Sequence, residues 1–490
     1  MSVQASELTA RAIRERVGHP LIDGDGHLVE VREAFVRFVH EHGEGALLDD
    51  PFAQALLVPG NEHKLYPPLE ERRRLHIRTN ARWFTPGVTV DYAAVTMPGL
   101  MYERLEETGF DFSVVFPTYG LHIAHIGDER SRRGLCRLYN EMVAADFAPY
   151  RDRLSPVAVL PMDTPEEGVE ALEHAASLGL KAFLIPSFVW RTIPAFADAP
   201  IEYRSRLRRM DTFGIDSEHD YDPFWRRASD LNAPLACHMS GAGLIDRISP
   251  SNYVFSAGQF AATGEASAKS LFLGGVTHRF PRLRFGLMEG GVAVGVRLYG
   301  DLVGRWEKRG PRGIRNLDPR NIDTAELARL APRYNPRLVG LPEDRLVPCL
   351  AAEEGGNDDF QRTGVAGPED IRDQFCRSFF WGCEGDDPLV AVAFDARVNP
   401  LGATIPAFMG SDIGHWDVPD FEHPLREAYE QVERGLLTEA QFRDFAFTNA
   451  VRFYAGDRGD FFAGTAVEAA ANAVISATSG APEIRGGDRR

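Results

Sequence analysis

The stretch Leu21-Ile22-Asp23-Gly24-Asp25-Gly26-His27-Leu28-Val29-Glu30 runs from a short apolar lead into alternating acidic residues and glycines. Read as a strand, its side chains alternate between two faces. Asp23, Asp25 and His27 then share one face. Gly24 and Gly26 leave the other face bare, so something must pack closely there. A carboxylate and an imidazole two residues apart on one strand can hold one divalent ion. The competing reading is a polar turn with a solvated histidine, and so short a motif does not choose between them.

Working outward, the chain settles into a repeat. A helical segment at 102–108 stops at Gly109, and an apolar strand follows at 112–116. Helical segments at 136–148, 166–178, 223–231 and 267–279 alternate with strands at 155–160, 182–185, 234–238 and 284–288. Further strands are expected at 375–381 and 405–409, and helices at 424–435 and 439–445. With 21–23 as the first, this makes eight strands. Strands alternating with helices argue for a parallel sheet with crossover helices. Eight units fit a closed (β/α)8 barrel better than a doubly wound open sheet. No GxGxxG follows a strand and opens a helix, which weakens the open-sheet alternative.

Residues 305–372 break the rhythm with charge and prolines. They read as an insertion before the seventh strand, a cap or an oligomer contact. The expected organisation is an α/β barrel over 1–455 followed by an Ala-, Gly- and Ser-rich tail over 456–490. Residues 70–82 are strongly basic, and such a long excursion after the first strand is often functional.

Composition narrows the function. The chain has 490 residues and a formal net charge of −17, which disfavours a nucleic-acid surface. Its five cysteines include no CxxC pair, so neither a disulfide framework nor a thiolate zinc site is expected. Reduced thiols point to a cytoplasmic protein. The first residues lack the apolar run of a secretory signal, and no run of about 18 apolar residues predicts a membrane span.

In a barrel of this kind the chemistry sits at the C-terminal ends of the strands. Those ends carry Asp25 and His27, then His238, Glu289 and Asp412, with His415 just beyond. Asp25, His27, His238 and Asp412 supply oxygen and nitrogen donors for one divalent ion: zinc first, with manganese or iron(II) as alternatives. Glu289 could serve as a general acid/base or orient a ligating imidazole.

These segments resemble the amidohydrolase superfamily, in the group that includes aminocarboxymuconate semialdehyde decarboxylase and the dihydroxybenzoate decarboxylases. The resemblance is carried by 22–27, 180–186, 221–225, 234–238, 279–285 with 288–291, and 410–415. It implies a distorted (β/α)8 barrel with one metal at the strand ends. It matches Asp25 and His27 to the first-strand pair, commonly His-x-His or Glu-x-His, with a carboxylate here in place of the first His. His238 matches the strand-five ligand and Asp412 the strand-eight ligand. The better-studied decarboxylases carry a His-Gly-Gly where this chain has Glu289-Gly290-Gly291, so their proton-carrying His is missing and His415 is the substitute. The resemblance also points to Arg78, in the basic excursion, as a holder of a substrate carboxylate. Trp83 could stack on a ring beside it, and His122 faces the same mouth.

The expected activity is that of a metal-dependent hydrolase acting on a small organic molecule through an activated water, with Asp412, Glu289 and His415 handling protons. The alternative is non-oxidative decarboxylation of an aromatic or unsaturated acid. A barrel that has lost catalysis and serves as a scaffold is the third reading. A homodimer or larger homo-oligomer is expected.

Overall fold

In the computed structural model the opening stretch is a strand, β1, Ile22–Leu28, buried along its whole length. The model describes residues 7–61, 67–76, 86–199, 207–238, 248–249, 259–342, 345–347, 358–415 and 418–479. Next to β1 lies β2, Phe112–Pro117, and then β3, Leu154–Val159, and β4, Ala182–Ile185. A hairpin of β5, Val189–Thr192, and β6, Arg208–Asp211, stands apart as an antiparallel pair. The main sheet resumes with β7, Pro234–Cys237, β8, Arg284–Leu287, β9, Phe379–Cys383, and β10, Ala407–Met409. All seven pairings between neighbours of this eight-stranded sheet are parallel. The ring closes where the His27 amide donates to the Ile413 carbonyl at 2.8 Å and the Asp412 amide donates to the Asp25 carbonyl at 2.9 Å. The result is a nearly closed (β/α)8 barrel, as the alternation of strands and helices predicts.

β1 has an irregularity that matters for the site. Asp23 lies opposite Ser113, yet Gly26 lies opposite Val115, so three steps on β1 match two on β2. One extra residue in a strand is a β-bulge, which re-aims the side chains beyond it. A Cβ on Gly26 would sit 2.6 Å from the Asp23 carboxylate, so Asp23 lies on the Gly26 side of the strand. The expectation that Asp23 shares a face with Asp25 and His27 is therefore corrected. Asp23 is buried and accepts four hydrogen bonds: from Ser113 Oγ at 2.7 Å, Ser411 N and Ser411 Oγ at 2.9 Å each, and Asp25 N at 3.1 Å. It ties β1 to β2 and to the end of β10.

The close packing expected at the glycines is present. A Cβ on Gly24 would meet the Phe408 ring at 2.6 Å, and one on Gly410 would meet Asp25 Cβ at 2.6 Å. β1 and β10 approach too closely for side chains there.

Other boundaries differ from expectation. The strand expected at 375–381 starts later, at Phe379, because a helix, Pro368–Ser378, occupies the first part. Ile371 and Phe375, four apart, bury one face of that helix, and Pro368 suits its first turn. The helix expected over 267–279 is two, Gln259–Leu273 and Val276–Arg279, broken where Gly275 takes a φ of 76°. β3 lies one residue earlier than expected and β10 begins two later. The β5–β6 hairpin was not foreseen. Helix Ala293–Arg309 runs past residue 305, and within the following excursion Trp306 packs on Phe360 with ring centres 5.2 Å apart. Among the described residues no helix is long and apolar enough to cross a membrane.

Candidate metal centre

Six side chains from four strand ends converge at the mouth of the barrel. Asp25 and His27 come from β1, and His238 directly follows β7. Glu289 follows β8, while Asp412 and His415 follow β10. All are removed from solvent: His27 is 0% exposed, His238 1%, Asp25 2% and Asp412 4%. Glu289 and Asp412 both adopt φ of 52°, a left-handed backbone that a branched-polar side chain tolerates only at a cost. Such strain gathers at functional sites because the surrounding fold enforces it. Here it turns two carboxylates back over the barrel mouth.

The distances describe a tight group. His27 Nε2 lies 3.1 Å from His238 Nε2, 3.2 Å from Glu289 Oε1, 3.4 Å from Asp412 Oδ1 and 3.6 Å from Asp25 Oδ1. His238 Nε2 lies 3.3 Å from Glu289 Oε1 and 3.5 Å from Asp25 Oδ1. Two sets of potential donors share His27 and Glu289, one with Asp25 and His238, the other with Asp412 and His415. The Nδ1 of His27 faces the Pro117 carbonyl at 3.2 Å. A proton on Nδ1 donates there and leaves the Nε2 lone pair facing the group, the usual arrangement for a ligating histidine.

Whether this group fits a divalent ion can be tested on its unmet polar atoms. Asp25 Oδ1 is buried without a hydrogen-bond partner, and a buried carboxylate oxygen left so is costly. Ligand atoms of Asp25, His27, His238 and Glu289, two imidazoles and two carboxylates, all lie within 4.8 Å of one another. That donor set fits a single divalent ion held by Asp25, His27, His238 and Glu289, while Asp412 groups with His27, Glu289 and His415.

The electrostatics agree with the geometry. Burial alone would lower the His238 pKa, but the neighbouring Glu289 and Asp25 carboxylates outweigh it and raise the value to about 10. Burial would raise the Glu289 carboxyl, yet His238 and His27 hold it well below the usual range. His415 is pushed well below an ordinary imidazole by burial and by His27. Its Nδ1 sits 2.5 Å from Asp412 Oδ1, and its Nε2 lies 3.4 Å from Thr118 Oγ1.

Of the residues singled out from sequence, Asp25, His27, His238, Glu289, Asp412 and His415 are brought together. His122 follows β2 in a short turn of helix, Gly120–His125, where burial and the nearby His238 push it down to about 4. Arg78 and Trp83 lie outside the described residues. Sequence reasoning passed over Glu30, although it stands in the opening stretch. Its buried carboxylate accepts the backbone amides of Thr118, Tyr119 and Gly120 at 3.1, 2.8 and 3.0 Å, and the Tyr139 hydroxyl at 2.8 Å. It thus clamps the loop that carries Thr118 and His122. A Glu three residues after the histidine was the available signal, but only the fold shows what it holds.

Residues 22–312, more than half of the chain, match a family model described as amidohydrolase. The chain belongs to the amidohydrolase family. Among curated proteins none matches this amidohydrolase. Among solved structures it is similar to an amidohydrolase from Mycobacterium avium subsp. paratuberculosis K-10, with 16% identity, 89% of this chain and 99% of that one covered, and a TM-score of 0.52. At such identity the likeness is one of fold. A dihydroxybenzoic acid decarboxylase from Polaromonas sp. JS666, solved with manganese and 2-nitroresorcinol, matches at 14% identity over 90% of this chain and 99% of that one, with a TM-score of 0.49. A 2,6-dihydroxybenzoate decarboxylase from Rhizobium matches at 16% identity over 89% and 98%, with a TM-score of 0.47.

Proposed function

We propose that this amidohydrolase-family enzyme is a divalent-metal-dependent carboxy-lyase that removes CO2 without oxidation from an aromatic or unsaturated acid. The observation that carries this reading is the position of Glu289. The hydrolytic alternative needs a free carboxylate to take a proton from water and pass it to a leaving group. Glu289 Oε1 instead lies against both imidazoles, 3.2 Å from His27 and 3.3 Å from His238. In that place it completes a set of four donors with Asp25, His27 and His238 and is no longer free to carry a proton.

Asp25, His27, His238 and Glu289 would hold the ion. Two carboxylates among four donors, with no thiolate, suit manganese as well as the zinc first expected from sequence. When bound, the ion supplies Lewis-acid polarisation of substrate oxygen atoms. The chain's own residues do the rest. The buried Phe116 ring packs beside His238 at 5.2 Å and His27 at 6.3 Å, an apolar neighbour to the group. His415 Nδ1 lies 2.5 Å from Asp412 Oδ1, which leaves His415 Nε2 toward Thr118 to hold or hand on a proton. In the reaction the bond between the carbon and the carboxylate breaks, its electron pair stays on the carbon, and a proton takes the place of the departing CO2. No oxidant or reductant is needed.

The test uses manganese-loaded protein and a panel of hydroxybenzoates and unsaturated acids. In D2O, decarboxylation releases CO2 and leaves one deuterium on the product carbon. Incorporation of ¹⁸O from labelled water into the organic product, without CO2, would establish hydrolysis instead.

A further inference from the structure

The β5–β6 hairpin springs from the C-terminal end of β4, so it belongs to the same face of the barrel as the metal centre. It is pinned there: Arg191 donates to the Asp163 carbonyl beyond β3 at 2.7 Å, to Asp211 at 3.0 Å and to the Tyr221 hydroxyl at 2.8 Å. Aromatic rings lead from the mouth to this hairpin. His125 lies 6.1 Å from Phe188, and Phe188 meets Trp190 edge-on at 5.1 Å. The Arg208 guanidinium lies over the Trp190 ring, 5.1 Å from its centre.

The charges on the hairpin are uneven. Arg191 pairs with Asp211, and Arg209 pairs with Glu218 at 2.6 Å. Among the described residues Arg208 has no such carboxylate, and surrounding protein alone lowers its pKa. In a chain of net charge −17, an arginine set on an aromatic ring without an acidic partner is an arrangement suited to an anion supplied from outside. His125 adds an uncharged polar group on the way: its Nε2 is buried without a hydrogen-bond partner, and burial keeps the ring neutral.

We propose that Trp190 and Arg208, backed by the buried Phe188, form a recognition lip that stacks an aromatic acid and binds a second anionic group placed away from the one held at the metal centre. The inference rests on the carboxy-lyase reading for which site the lip serves. It goes beyond that reading in naming the substrate class as aromatic dianions rather than simple benzoates. The half-buried Trp190 presents ring surface, which tolerates many aromatic shapes, with buried Phe188 backing it, while Arg208 reads charge and sets selectivity.

The experiment measures binding by calorimetry to manganese-loaded protein, with naphthalene-2,6-dicarboxylate and 2-naphthoate as probes. Wild-type protein is expected to bind the dianion about tenfold more tightly than the monoanion, the size of one partly exposed charge-assisted contact. Arg208→Ala should abolish that preference and leave the monoanion unchanged, and Arg208→Lys should keep part of it. Trp190→Ala should weaken both probes. No preference in the wild type, unchanged binding in Arg208→Ala, or equal weakening of both probes by Arg208→Ala would each overturn the lip. If Arg208→Ala loses the dianion selectively while no acid is decarboxylated, the lip stands and the carboxy-lyase reading falls.

Discussion

His27 and His238 face each other through their Nε2 atoms at 3.1 Å, although one leaves β1 and the other follows β7, on opposite parts of the barrel. Two imidazole nitrogens cannot both turn lone pairs on each other at that distance, so either a proton or a metal ion lies between them. In the metal-free protein that cation is a proton on His238, held by Glu289 and Asp25. A divalent ion in the same place satisfies all the donors at once.

Metal uptake should therefore release a proton. With the His238 pKa raised to about 10, the proton competes with the ion at every pH below that value. Apparent affinity should rise by up to roughly tenfold per pH unit between neutrality and that value, because one proton must leave for each ion bound. Calorimetric titration with manganese in buffers of different ionisation enthalpy measures the released proton directly. A pH-independent affinity would show that His238 is not displaced.

Replacing a donor should empty the site. His238→Ala and His27→Ala are expected to lower metal affinity by at least about 10²-fold, the upper range seen even for partners that merely orient ligands. Metal analysis of protein purified without chelator reads this out. Full metal content in His238→Ala would remove it from the donor set.

Glu289→Gln separates the two roles of this carboxylate. The amide keeps the shape but loses the negative charge that balances the ion. If Glu289 is a donor, metal content falls along with turnover. If it only carries a proton, metal stays bound while turnover drops by about 10²-fold or more.

Gly24→Ala tests the seam between β1 and β10. The new methyl would lie 2.6 Å from the Phe408 ring and 2.9 Å from the Met409 carbonyl oxygen. Overpacking of this kind costs about 1–3 kcal/mol, and here the backbone carbonyl cannot move without shifting Asp412. Denaturant unfolding should show the loss, together with weakened metal binding. Stability equal to wild type would mean the seam is looser than the structure indicates.

Glu30→Gln should loosen the loop after β2. An amide nitrogen cannot accept the backbone amides of Thr118, Tyr119 and Gly120, so at least one buried donor loses its partner, at about 1–3 kcal/mol. Because the same loop carries Thr118 to His415, kcat should fall more than metal content. Measuring both in the same preparation checks this. Unchanged kcat with lowered stability would make Glu30 a purely structural clamp.

Eight barrel strands, their order and the polar residues at their ends were legible in the sequence, though the β5–β6 hairpin was not. Each of these is a local property: apolar runs of strand length, glycines that stop helices, and donors just past a strand's last apolar residue. The sequence also foretold the close packing at Gly24, because a missing side chain in a buried strand marks the approach of a neighbour. Only the tertiary structure decided how those residues divide their work. Asp23 and Asp25 look alike in sequence, but one extra residue in β1 sends Asp23 to Ser113 and Ser411 and leaves Asp25 with the histidines. Bulges depend on the partner strand's register, which no single strand records. The placement of Glu289 against both imidazoles, rather than beyond them, follows from a left-handed backbone at its Cα. That conformation is imposed by the packing around β8, so it could be read only once the barrel had closed.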